Sequence, residues 1–138
     1  SMKLSLKVEY ACQVLAQLGY TYGRPELPHI EELARAEAVP SNYLVQILNE
    51  LRTAGLIRSR RGKQGGYALL REPESITLRE VVEAVEGEVL AHRSSGSGAS
   101  SEKAVRVWDE ISSRFEGLLE EYTVRHFMNI PVRDMWYI

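Results

Sequence analysis

Four of the six residues from Arg58 to Lys63 are cations, namely Arg58, Arg60, Arg61 and Lys63. Charges of one sign crowded into so short a stretch are suited to holding phosphate oxygens, and Gln64 extends the polar run. Glycines at 62, 65 and 66 put Arg61 at the tip of a turn, from which a guanidinium can enter a narrow, strongly negative minor groove. A second group lies upstream. Asn42 and Gln46 are one helical turn apart on the polar side of an apolar-periodic segment that begins at Pro40-Ser41. Carboxamides donate and accept together, which suits base-pair edges, and the free amides at the start of that helix favour a phosphate near Asn42. Pro40, Ser41, Asn42, Tyr43, Gln46, Arg58, Arg60, Arg61, Lys63 and Gln64 are therefore the candidate contacts with double-stranded DNA. Tyr43 and Tyr67 are assigned mainly to packing the third helix on the basic turn, leaving a hydroxyl to reach phosphate.

Reactive chemistry is not indicated. No nucleophile stands beside a base, no metal-ligand spacing occurs, and Gly62 to Gly66 lack the following helix and Lys-Ser/Thr of a phosphate-binding loop. Neither catalytic nor metal-binding residues are expected, no cofactor is implied, and the chain does not read as an enzyme. The single cysteine, Cys12, falls on an apolar stripe, where a thiol behaves as a small hydrophobe; thiol-based redox sensing is the alternative role. His29 and His126 read as surface residues without ligand spacing.

The elements that must position these groups follow from periodicity. Residues 5–22 carry Val8, Ala11, Cys12, Leu15 and Leu18 at helical spacings behind Ser5 as a cap, and Gly23 and Pro25 end the run. Pro28 starts a short helix over His29 to Ala36 with Ile30, Leu33 and Ala34 inward. Pro40 starts a third, to about Thr53, with Leu44, Ile47, Leu48 and Leu51 inward and Ala54-Gly55 as its stop. Leu56 to Ser59 and Gly66 to Leu70 then read as two short strands around the basic turn. Three helices and a hairpin give a mainly α fold, a winged helix-turn-helix with a two-stranded wing. Thr77 and Glu80 form a capping box for a fourth helix that Gly87 ends.

Residues 93–101 are nearly pure Ser and Gly and read as a flexible loop. Beyond it Ala104, Trp108, Ile111, Phe115, Leu118 and Tyr122 recur four and three apart, a heptad seam on a long C-terminal dimerisation helix. In so short a chain the expected partner is the same helix of a second copy, which makes a homodimer. The tail carries Met135, Trp136, Tyr137 and Ile138, whose exposure would be costly, so it is expected to dock. The resulting division is a DNA-binding unit over 1–87, a loop over 88–102, and a dimerisation helix with its tail over 103–138.

The net charge of -2 conceals an asymmetry: residues 1–71 hold 10 Lys and Arg against 6 Asp and Glu, and residues 72–138 hold 7 against 13. The first half suits a polyanion, and the acidic half is expected to face away from it. Ser1 ahead of Met2 reads as a scar, and neither a leader nor a membrane span is recognised, so a cytoplasmic location without membrane association is expected.

Several spaced motifs occur in one order: Lys3-Leu4-Ser5 with Tyr10-Ala11, Tyr43-Leu44, Gln46-Ile47-Leu48, Leu51, Ala54-Gly55-Leu56-Ile57, Arg61-Gly62, Gly65-Gly66-Tyr67, Ile76-Thr77 and Glu86-Gly87. Together they resemble the Rrf2 family of transcriptional regulators over most of the chain. The resemblance implies winged-helix homodimers whose long C-terminal helix crosses into the partner subunit, and a minor-groove role for Arg61-Gly62. Cluster-binding relatives carry three cysteines before the long helix, whereas here that loop offers His92, Ser94, Ser95, Ser97, Ser100, Ser101 and Glu102 and no thiol. The likeness is greatest to cluster-free repressors of cysteine metabolism, on the pair Lys103 and Trp108 and the tail Met135 to Ile138. It implies control of sulfur genes through a regulatory protein such as cysteine synthase. A protein-interaction adaptor on the same scaffold is the competing class; Arg58 to Lys63 argue against it.

Overall fold

A computed structural model describes residues 5–88 and 96–130. Among them lie α1 (Leu6–Tyr20), α2 (Ile30–Glu37), α3 (Ser41–Thr53), β1 (Ile57–Arg60), β2 (Gly66–Leu69), α4 (Leu78–Glu86) and α5 (Ser101–Glu120), with 3-10 turns at Pro73–Ser75 and Val124–Phe127. His92, the loop up to Ser95 and the tail Met135 to Ile138 fall outside the described residues.

α1 is the post around which the rest is built. The Ser5 hydroxyl accepts from Val8 N–H at 3.1 Å and opens the helix. Its stripe Val8, Ala11, Cys12, Leu15 and Leu18 is buried, and α2, α3, α4 and β2 all pack against it. Leu44, Ile47, Leu48 and Leu51 of α3 enter the same core, so the opposite face of α3 is left to solvent. Lys7 of α1 reaches Glu50 of α3 at 2.8 Å. This hydrogen bond raises the ammonium pKa against the opposing effect of burial.

Between α2 and α3 the chain turns through Ala38, whose φ of 53° is left-handed, while Val39 N–H returns to the Ala34 carbonyl at 3.0 Å. A methyl group is strained in that conformation and glycine is not. Ala38→Gly is expected to raise stability by about 0.5 kcal/mol, the relief of strain being partly offset by a more flexible unfolded chain. A urea midpoint that falls instead would show that the turn is unstrained.

The hairpin pairs antiparallel with Ile57 opposite Leu69 and Arg60 opposite Gly66, so β1 is shifted by one residue at both ends from the sequence reading and β2 stops one residue earlier. Toward the turn end of the hairpin, the Leu27-Pro28 segment lies beside β2. Tyr67 N–H donates to the Pro28 carbonyl at 3.0 Å. A Cβ on Gly66 would stand 2.5 Å from that same oxygen, and its φ of 137° also requires glycine.

α4 opens at the capping box expected from the sequence, Glu80 N–H donating to the Thr77 hydroxyl at 3.2 Å and Thr77 N–H to Glu80 Oε1 at 3.2 Å. Burial alone would raise the Glu80 carboxyl; Arg71, 2.6 Å away, and the Thr77 groups outweigh it and hold the pKa below its ordinary value. α5 is fastened back onto α4. Arg79 bonds Glu116 at 2.6 Å and Glu120 at 2.7 Å, Leu119 is buried, and a single antiparallel bridge joins Thr77 to Thr123. Leu78 N–H donates to the Tyr122 carbonyl at 2.8 Å, and Val124 N–H to the Ile76 carbonyl at 3.0 Å. The chain then returns over α1, where the Met128 sulfur lies 2.6 Å from where a Cβ on Gly19 would be. α5 ends at Glu120, so the helix does not reach Tyr122 as the heptad spacing suggested: the Thr77–Thr123 bridge takes the chain out of helical geometry there.

Candidate nucleic-acid interface

The buried face of α3 dictates what its other face presents. Ser41, Asn42, Val45, Gln46, Asn49 and Arg52 are exposed, and Pro40 caps the helix with Tyr43 N–H on its carbonyl at 3.1 Å. Tyr43 is half-buried. Its ring stands edge-on to Tyr10 of α1, centroids 5.6 Å apart, and packs against the core. The pair joins distant segments, a relation that local spacing does not encode.

On the hairpin Arg58, Arg60, Arg61, Lys63 and Gln64 are all exposed. The tip is shaped by Gly62, with φ 94°, and by Gly65, whose N–H donates to the Gly62 carbonyl at 2.9 Å. A Cβ on Gly65 would overlap the Arg60 carbonyl, so the turn closes only without a side chain. Among the described residues none of these four cations has a carboxylate within ion-pair distance, whereas Lys7, Arg71, Arg79 and Arg114 do. The wing thus carries four unpaired cations within six residues of chain.

Arg52, absent from the sequence-derived set, joins the helix and the hairpin. Its guanidinium donates to Asn49 Oδ1 at 3.3 Å and to Ser59 Oγ at 3.5 Å. It lies one turn beyond Asn49 on the outer face, a spacing that could have marked it. The helix face and the wing are therefore adjacent parts of one surface, with carboxamides for base edges on one side and cations for phosphate on the other.

Residues 4–130 match the Rrf2 family, described as an iron-dependent transcriptional regulator, and the chain belongs to that family. It is 38% identical over 120 residues to the HTH-type transcriptional regulator IscR of Cereibacter sphaeroides, covering 81% of this chain and 77% of that one. With IscR of Escherichia coli it shares 30% identity over 132 residues, 93% of this chain and 81% of the relative. Among solved structures, CymR, the global cysteine regulator of B. subtilis, superposes with a TM-score of 0.75 at 26% identity, covering 91% of this chain and 95% of that one. The chain is a DNA-binding transcriptional regulator with a winged-helix fold, similar to CymR. Among the described residues no helix is long and apolar enough to cross a membrane.

The family description speaks of iron, and the donors available here do not fit an iron-sulfur cluster, which is held by several thiolates. The chain has one cysteine, Cys12, buried inside α1. Among the described residues no three His, Cys, Asp or Glu side chains are grouped to hold a metal ion. Burial, reinforced by the Glu9 charge, pushes the Cys12 thiol up to about 12. A thiol so placed carries only about one thiolate in 10⁵ at neutral pH. Alkylation of the native protein at pH 7.5 is expected to be more than about 100-fold slower than of the urea-unfolded chain; comparable rates would restore the redox-sensing role.

Proposed function

We propose that the chain acts as a homodimeric repressor on a two-fold symmetric operator, with Pro40, Ser41, Asn42, Tyr43, Gln46, Arg58, Arg60, Arg61, Lys63 and Gln64 on the DNA. Gln46 reaches base edges in the major groove, the start of α3 around Asn42 meets phosphate, and Arg61 enters the minor groove beside it. The observation that carries this reading is the set of unpaired wing cations next to a polar recognition face. Residues 1–87 form the DNA-binding unit, 88–102 the connecting loop, and 103–138 the dimerisation part.

Dimerisation uses Ala104, Trp108, Ile111, Phe115, Leu118 and Tyr122. All six are exposed, Trp108 at 54%, while α5 turns Leu119 to the body; Tyr122 has the His126 ring at 5.2 Å, and the large side chains ahead of it are left facing solvent. Control of cysteine or sulfur genes is supported by the likeness to CymR, a global cysteine regulator, and a regulatory protein such as cysteine synthase is part of the proposal. Selection of bound sequences from random DNA tests the reading. A consensus with two inverted half-sites about one helical turn apart, found upstream of sulfur genes, is expected. A protein that retains no sequence in preference to bulk DNA would overturn it.

A further inference from the structure

The outer face of α3 has one member that neither phosphate contact nor solubility explains. Val45 is 46% exposed in the middle of Asn42, Gln46 and Asn49. An exposed β-branched residue is slightly unfavourable in a helix and gains nothing from solvent, and the helix buries its own apolar stripe on the other side. Val45 and Arg52 are two turns apart on one stripe, and Arg52 reaches Ser59 of the hairpin. Val45 thus sits on the wing-side flank of the recognition face, with carboxamides beside it and no charge of its own. In the major groove the only apolar group that a base pair presents is the 5-methyl of thymine.

We infer that Val45 is a specificity-determining residue that contacts a thymine methyl in each half-site. This rests on the DNA-interface reading above. The isopropyl group supplies no hydrogen bond, so it discriminates by burying one methyl and by leaving the donor of a cytosine in its place without a partner. Gln46 and Asn49 flank it and read the neighbouring positions through hydrogen bonds.

The test uses the full chain and the operator recovered by selection. Each thymine is replaced in turn by deoxyuridine, which removes the methyl and keeps every hydrogen-bonding group. One thymine per half-site is expected to lose about fourfold in affinity, and about 16-fold when both are replaced. In Val45→Ala, whose folding is checked by its thermal melt, the same replacement is expected to change affinity by less than about twofold. Val45→Ala and the native chain should bind the uracil operator alike. A methyl effect of unchanged size in Val45→Ala, or a scan in which no thymine matters, overturns the inference while leaving the interface intact. Absence of any preferred sequence overturns both.

Discussion

Glutamine at Arg58, Arg60, Arg61 and Lys63 together is expected to weaken operator binding by on the order of 10³-fold at physiological salt. Each cation that meets a phosphate releases counterions, so the plot of log affinity against log salt should become shallower by about one unit for each phosphate left without its cation. With about three phosphates held per hairpin and two hairpins, the slope falls by about five units. Fluorescence anisotropy across a salt series measures both quantities. The four side chains are exposed and have no carboxylate partner among the described residues, and the tip is shaped by Gly62, Gly65 and Gly66, so the fold should survive. Unchanged affinity and slope would remove the wing from the interface.

The second large effect concerns assembly. Phe115 lies at 41% exposure near the centre of the α5 seam, and in a two-fold contact each substitution counts twice. Burying an aromatic ring is worth about 2 kcal/mol per copy, and a carboxylate in its place must be desolvated. Phe115→Glu is therefore expected to raise the dimer dissociation constant by more than about 10³-fold and to yield a monomer in sedimentation equilibrium. Leu119 and the Arg79 bonds to Glu116 and Glu120 hold the other side of α5, so the monomer stays folded. Operator affinity should fall with it, because one reader alone engages one half-site. A dimer that persists in Phe115→Glu would place the contact elsewhere.

What could be read from the sequence divides along a physical line. The cap at Ser5, the box at Thr77 and Glu80, the stop at Gly55 and the inward stripe of α3 are local, each set by residues within about a turn of each other, and all stand where spacing put them. The relations that spacing could not show join distant segments. Tyr43 turns to Tyr10, Pro28 lies beside Tyr67, and Thr77 bridges to Thr123, and no short-range period announces any of these. The end of α5 belongs with them, since the bridge to Thr77 and not the heptad pattern decides that Tyr122 lies past the helix. In the candidate interface, charge clustering and polar spacing pointed to the wing and to Asn42 and Gln46. Arg52 and Val45 escaped because each is ordinary by type and becomes telling only by its neighbours, Ser59 for one and two carboxamides for the other.

The fastening of α5 to α4 has a mechanical consequence. Twenty residues of helix make a strut about 30 Å long, and Arg79, Leu119 and the Thr77–Thr123 bridge leave it little freedom to pivot on its own body. In a dimer joined through such struts, the two readers behave like the points of a pair of calipers. A change of about 10° in how the struts cross would carry a point about 5 Å along the duplex, more than one base-pair step of ~3.4 Å. Anything that wedges the crossing would then break the match to both half-sites without touching a single group that meets DNA.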